Sequence, residues 1–268
     1  MLHELITPVI LGIVEGITEF LPISSTGHLI IINEFTGFTG PFAKMFDVVI
    51  QLGAILAVVV YYRRRLFYPL VSGDGAERRR SLSLWTKAVV GVVPALILGY
   101  LFGKQVQALL FNPHVVAAAL IAGGVVLIVI EKTKKNVTIN EVEDLDYKTV
   151  LLVGLIQCLA MVPGTSRSAA TIIGAMVLGA SRTAAAEYSF FLAIPTMAAA
   201  SAYMVIQNGA AMSGAEAVQL SVGFVVSFIT AYLVIAAFIR FISRHDFVPF
   251  GVYRIALGIA VLAYFLLR

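Results

Sequence analysis

Two short stretches of the 268-residue chain gather reactive side chains inside otherwise apolar sequence. The first runs Glu15-Gly-Ile-Thr-Glu19-Phe-Leu-Pro22-Ile-Ser24-Ser25-Thr26-Gly27-His28. The second is Pro163-Gly164-Thr165-Ser166-Arg167-Ser168. An ionisable group at membrane depth costs a few kcal/mol, so such groups are functional candidates by default. On that rule Glu15, Glu19, His28, Arg167 and Glu187 stand out, with Asp47 nearer an interface.

Each residue type suggests its own chemistry. Glu15 and Glu19 are four positions apart and share one helical face. Two carboxylates there ionise together only if a cation lies between them. The pair therefore reads as a site for a divalent cation (Mg or Ca) or for general acid–base work, and otherwise as an ion pair with Arg167. If a half-helix begins after Pro22, Ser25 and His28 share a face. That is a nucleophile–base spacing, since a serine hydroxyl needs a base to take its proton. Ser24, Ser25 and Thr26 could equally cap that helix. In the second stretch Gly164 lets backbone approach a ligand closely. A helix N-terminus there presents free amides to an anion, alongside the hydroxyls of Thr165, Ser166 and Ser168. Arg167 adds a planar fork matched to phosphate oxygens, unless it pairs structurally with Glu15, Glu19 or Glu187. Acids, hydroxyls and an imidazole from one stretch, with a guanidinium and amides from the other, suit a lipid phosphate.

The elements that must position these groups are membrane helices. Hydrophobic residues make up 60% of the chain and charged ones 13%, with a mean hydropathy of +0.95; soluble domains carry about twice that charge. The net charge of +4 would suggest nucleic acid in a soluble protein, but here Lys and Arg fall in loops between apolar runs and report topology. No nucleic-acid partner is expected. The first residues carry His3 and Glu4 and lack the basic start of a cleaved signal peptide. Cys158 is the lone cysteine, so no disulfide framework exists.

Eight apolar segments emerge: Leu5–Phe35, Phe46–Tyr62, Trp85–Phe102, Val115–Ile130, Val150–Leu178, Tyr188–Ile206, Val218–Ile239 and Phe250–Leu267. The first and fifth are interrupted by the two reactive stretches. Irregular polar backbone at membrane depth survives only when buried in protein or lining a cavity, so both read as re-entrant helix–loop–helix hairpins. The expected fold is an all-α integral membrane protein with six full transmembrane helices and two such hairpins. Gly12-Ile-Val-Glu15 resembles Gly154-Leu-Ile-Gln157, and Phe111-Asn-Pro113 resembles Phe247-Val-Pro249. An internal repeat follows: residues 1–135 with a hairpin at about 5–35, a linker at 136–147, and 148–268 with a hairpin at about 150–178. Three crossings per half make the halves inverted. The positive-inside rule then puts Arg63–Arg65, Arg78–Arg80, Lys132, Lys134, Lys135, Lys148, Arg182, Arg240 and Arg244 in the cytoplasm. Lys44, Lys104, Arg268 and the loop Gln207–Gln219 fall outside, so the first hairpin enters from outside and the second from inside.

The two reactive stretches, extended to Thr171, resemble the signature motifs of the undecaprenyl-diphosphate phosphatases of the bacitracin-resistance type. Phe46-Asp47-Val-Val-Ile-Gln51-Leu-Gly53, Glu187-Tyr-Ser-Phe190 and Pro249-Phe250-x-x-Tyr253-Arg254 resemble that family too. Asp47 departs from its more usual glutamate. The resemblance implies hydrolysis of undecaprenyl diphosphate to undecaprenyl phosphate, bacitracin tolerance, a bacterial plasma-membrane location and an active site facing the outer side.

On this reading Arg167 and the hairpin amides grip the diphosphate, and Ser25 attacks the terminal phosphorus. His28 or Glu19 takes the serine proton, and Glu15 with Glu19 helps hold the divalent cation. Water as the nucleophile fits the residues equally well. The rival class is a transporter or flippase for a phosphorylated lipid or small anion. Small residues at Gly123-Gly124 and Ala198–Ala202 permit close helix contact, within the chain or in a homodimer.

Overall fold

A computed structural model describes residues 5–110, 112–133, 136–208 and 212–267. Phe111, Lys134, Lys135, Arg268, His3, Glu4 and part of the loop Gln207–Gln219, all invoked above, lie outside them. Within the described residues the chain is helical, with one isolated bridge between Ile139 and Ala180. Six helices are long and apolar enough to cross a membrane: α3 (Pro41–Tyr61), α6 (Gly75–Leu110), α7 (Pro113–Lys132), α10 (Arg182–Asn208), α11 (Gly214–Ile242) and α12 (Val248–Leu266). The protein is therefore a multi-pass membrane protein.

The first and fifth apolar segments are broken where expected. The first forms α1 (Ile6–Thr18) and α2 (Ser25–Thr36), and the second α8 (Tyr147–Gln157) and α9 (Arg167–Val177), with a 3₁₀ turn over Cys158–Met161. None of these four halves reaches the length of a span. Two short helices, α4 (Arg63–Leu66) and α5 (Tyr68–Ser72), make an elbow after α3 that the hydropathy pattern did not reveal.

Local signals account for many helix starts. Asn112 caps α7 by accepting from the Val115 amide, ahead of Pro113. Ser213 and Glu216 form a reciprocal box at the start of α11. The packing has a two-part regularity: α1 lies on α11 as α8 lies on α6, α3 lies on α11 as α10 lies on α6, and α3 pairs with α10 as α7 pairs with α12. Exchanging first-half helices for second-half ones maps this set onto itself. Close approach is set by glycine. A Cβ at Gly12 would meet the Gly223 carbonyl oxygen at 2.7 Å, and one at Gly154 would collide with the Gly91 carbonyl. Gly123 and Gly124 face Arg254 and the Gly251 carbonyl on α12, so that pair of small residues serves contacts inside the chain.

Candidate active site

The two breaks have the same local construction. Ser24 precedes α2 and Ser166 precedes α9, and each has a φ of 72°, the only non-glycine residues with positive φ among those described. Each serine hydroxyl accepts from the amide three residues on, Gly27 for Ser24 and Ala169 for Ser166. Left-handed backbone at a non-glycine residue costs about 1–3 kcal/mol, and it persists only where the surroundings over-determine it. Here it turns the chain so that two helix N-termini point toward one place.

Three residues hold the tips together. Ser168 on α9 donates to the Leu21 carbonyl of the first tip at 2.8 Å. Arg254 of α12 is fully buried and reaches both: Nη1 donates to the Pro22 carbonyl at 3.2 Å and Nη2 to the Gly164 carbonyl at 3.1 Å. The same guanidinium donates to the Ala119 and Leu120 carbonyls of α7, at 3.1 and 3.4 Å. The third is Glu19, which caps the C-terminus of α1 and joins the two stretches directly. Its Oε1 accepts from Arg167 Nη2 at 2.7 Å, and its Oε2 accepts from Ser25 Oγ at 2.6 Å. Glu19, Ser25 and Arg167 are all buried, with side-chain exposures of 4% for Glu19 and 8% for Arg167, so the ion pair is little screened.

Arg167 is held from its other side. Nη1 donates to the Ser189 carbonyl at 2.9 Å, and Thr171 donates to the Ser189 hydroxyl at 2.7 Å. Its Nε has no partner. Nor do the backbone amides of Arg167, Ser168, Ser25 and Thr26 find an acceptor among the described residues. Free amides at two helix N-termini linked through the Glu19–Arg167 pair, with an unpartnered guanidinium N–H on Arg167, are the kind of donors an anion accepts from.

The structure separates residues that the spacing had joined. Ser25 and His28 do share a half-helix, yet they are not hydrogen-bonded. His28 Nδ1 lies 2.8 Å from the Ser24 carbonyl, and Nε2 lies 2.7 Å from the Tyr253 hydroxyl. A carbonyl only accepts, so Nδ1 carries the proton and the Tyr253 hydroxyl donates to Nε2 of the neutral ring. The two rings stack 2° from parallel. Of the two groups named for taking the Ser25 proton, the one its hydroxyl contacts is the Glu19 carboxylate, and His28 makes no hydrogen bond to it. Thr26, His28 and Thr165 are half-exposed. Ser166 sits deeper and contacts the Ser168 hydroxyl at 3.0 Å. Gly164 has a φ of 91°, and a Cβ there would meet the Val116 carbonyl oxygen at 2.5 Å.

Glu15 lies one turn before Glu19 and is fully buried, and neither of its carboxylate oxygens has a partner. Glu187 belongs elsewhere. It accepts from Arg65 at 2.8 Å and from Tyr62 at 3.3 Å, because it begins only the second turn of α10, beside the arginine elbow. Asp47 accepts from Asn33 at 2.7 Å and is not bonded to the Glu19 group.

Tyr253, Arg254 and Ser189 were not singled out from sequence as site residues. For Arg254 the signal was present. It is an ionisable residue inside the apolar run Phe250–Leu267, which is the criterion that selected Arg167.

Fold and site define a polytopic membrane protein with a hydrolase-type acid, hydroxyl and guanidinium cluster held between two broken helices. Comparison with known proteins agrees. The model of the bacitracin resistance protein BacA family matches residues 8–260. The chain is 48% identical over 269 residues to undecaprenyl-diphosphatase 1 of Clostridioides difficile, covering 99% of this chain and 98% of that one. It is 50% identical over 260 residues to undecaprenyl-diphosphatase 2 of Rhodospirillum rubrum, covering 97% and 94%. A Thermoanaerobacter undecaprenyl-diphosphatase is 49% identical over 96% of each chain. The chain belongs to the bacitracin resistance protein BacA family.

Proposed function

We infer that the chain is a membrane-bound undecaprenyl-diphosphatase. It hydrolyses undecaprenyl diphosphate to undecaprenyl phosphate and inorganic phosphate, which recycles a carrier lipid for cell-wall synthesis and gives bacitracin resistance. The observation that carries the reading is the bridge Ser25–Glu19–Arg167 between two helix N-termini.

The diphosphate would lie against the free amides at the starts of α2 and α9 and against Arg167 Nε. As Ser25 Oγ attacks the terminal phosphorus, its proton passes to Glu19 Oε2, and undecaprenyl phosphate leaves. The resulting phosphoserine is then hydrolysed. Glu19 already engages Ser25 and Arg167, so His28 is available for this second step, in which Nε2, released from Tyr253, takes a proton from the attacking water. The bond from phosphorus to Ser25 Oγ breaks, Glu19 returns its proton to that oxygen, and inorganic phosphate is released. Positioning and charge stabilisation supply most of the rate gain.

A divalent cation fits the residues in one respect, since both Glu15 oxygens are buried without a hydrogen-bond donor. Among the described residues no group of three or more His, Cys, Asp or Glu could hold a metal. Glu15 is thus the residue that would hold it, since both Glu19 oxygens are taken by Arg167 and Ser25, with phosphate oxygens of the substrate supplying further ligands, as is usual for Mg. Such a cation would neutralise charge on the diphosphate.

The matched Ser24 and Ser166 caps and the interchangeable packing support two inverted repeats with re-entrant hairpins, in a bacterial plasma membrane. The crowding of Arg63–Arg65 and Arg78–Arg80 at one end supports placing that end in the cytoplasm, and the family resemblance is what suggests a reaction toward the outer side. Small-residue stripes leave a homodimer without particular support.

Purified protein in detergent should release one phosphate per undecaprenyl diphosphate, and an Arg167→Lys variant should not match it, because a point charge cannot replace the fork. Folded protein that releases no phosphate, yet moves the lipid across vesicles, would establish the transporter instead.

A further inference from the structure

We propose that the elbow α4–α5 and the start of α6 form a binding site for the headgroup of an anionic phospholipid, distinct from the reaction site. The segment from Arg63 to Arg80 holds six arginines against Asp74 and Glu77, which is a net +4. That equals the formal charge of the whole chain, so the rest of the chain is balanced.

The cavity lies at headgroup level. Helix α6 has 36 residues, about 54 Å at 1.5 Å per residue, against about 30 Å of hydrocarbon. Its first turns therefore project beyond the apolar layer. Trp85, donating to the Leu66 carbonyl at 3.2 Å, and Tyr147, bonded to Thr86 at 2.9 Å, mark the boundary, where amphipathic aromatics concentrate. Just beyond them is a cavity of about 250 Å³ lined by Arg64, Arg65, Tyr68, Arg80, Glu77 and Glu143, among others.

Its charges are not all satisfied internally. Arg65 is occupied, donating to Glu143 through Nε and Nη2 and to Glu187 through Nη1. Arg64 and Arg80 are exposed and have no side-chain partner among the described residues. Tyr68, which lines the same cavity, is 62% exposed, and Val71, three residues further along α5, is 90% exposed, apolar surface that suits acyl chains and gives a soluble polyanion nothing. Two free forks above exposed apolar side chains match a phosphodiester carrying its own lipid tails.

The test is thermal unfolding of the full chain in nanodiscs of dioleoyl-phosphatidylglycerol or dioleoyl-phosphatidylcholine, with native mass spectrometry to count retained lipid. The wild type should unfold at a higher temperature in phosphatidylglycerol and retain that lipid up to about thirty-fold better, from about a fivefold gain for each of the two arginines near the surface. Arg64→Gln/Arg80→Gln should unfold at the wild-type temperature in phosphatidylcholine and lose the preference. Arg240→Gln/Arg244→Gln, which removes two basic residues elsewhere, should keep it. Equal behaviour in both lipids would overturn the proposal, as would an unchanged preference in the Arg64/Arg80 variant. A preference lost equally in both variants would make the effect a diffuse property of the basic residues and would also overturn the site. Should the double variant not fold, added salt on the wild type must abolish the preference; if salt leaves it intact, the proposal fails.

Discussion

Arg254 offers a sharp test of how the two tips are held, because it contacts the site's backbone and none of its reactive groups. Replacing it with methionine keeps most of the buried stem and removes every donor. The Pro22 and Gly164 carbonyls then lose the only hydrogen-bond donor that either has among the described residues. Each unsatisfied buried carbonyl costs about 1–3 kcal/mol, so the pair sets a range of about 2–6 kcal/mol. The α7 carbonyls of Ala119 and Leu120 keep their helical partners and add little. Working the other way, no carboxylate pairs with Arg254 among the described residues, so removing a buried, unpaired charge returns part of that loss. We expect a net destabilisation near the low end, about 2–3 kcal/mol.

The kinetic effect should be larger in proportion. Misplacing catalytic groups by about 1 Å costs about 10²-fold in rate. Without Arg254, only the Ser168–Leu21 hydrogen bond and the Glu19–Arg167 bridge are left to hold the tips. Phosphate release by purified Arg254→Met should therefore show kcat reduced about 10- to 100-fold with KM little changed. Arg254→Lys, which can reach only some of the carbonyls, should fall between. Wild-type kcat in the methionine variant would refute the clamp. A rise in KM alone would show instead that Arg254 touches substrate.

Other outcomes follow from the same geometry. Glu19→Gln should lower kcat by about 10²- to 10⁴-fold in the same assay, the usual worth of a general base, whereas the expected loss for Glu15→Gln should shrink when the divalent cation is removed by chelation. Tyr253→Phe leaves His28 in place but deletes the donor to Nε2; it should shift the pH profile of kcat with less than about tenfold loss at the optimum, since a single hydrogen bond contributes about 0.5–1.5 kcal/mol. In Glu143, burial raises the carboxyl pKa but the hydrogen bonds and charge of Arg65 outweigh it, leaving it below the ordinary value of 4.5. The unfolded state therefore binds the proton first as pH falls. The stabilisation is complete above 4.5 and should fade below it, and thermal unfolding against pH should lose that acid-side slope in Arg65→Gln.

Much of the architecture was legible because hydrocarbon admits few exceptions. The eight apolar runs all appear as helices or broken helices, and the breaks at residues 19–24 and 158–166 overlap the polar interruptions, each starting a few residues before its proline. The convergence of Glu19 with Arg167, 148 positions apart, followed from asking which charges a membrane interior would tolerate. Pairings were not legible. Three-residue spacing put Ser25 and His28 on one face, but their partners lie one before the helix and one 225 positions downstream at Tyr253. Helical periodicity says nothing about such contacts. Glu187 met the burial criterion yet is paired with Arg65 by way of the α4–α5 elbow, whose four- and five-residue helices are too short to leave a hydropathy signature. The positive φ at Ser24 and Ser166 was equally hidden, because serine does not announce left-handed backbone as glycine does.

The central claim is that Ser25 attacks phosphorus with Glu19, not His28, as its base. Rapid acid quenching of turnover on undecaprenyl diphosphate labelled at the terminal phosphate tests it in one experiment. Labelled phosphoserine should map to position 25 in the wild type, accumulate in His28→Gln, where its hydrolysis is slowed, and be absent from Glu19→Gln. A His28→Gln protein that never acquires label, or a Ser25→Ala protein that still turns over at the wild-type rate, would contradict the account.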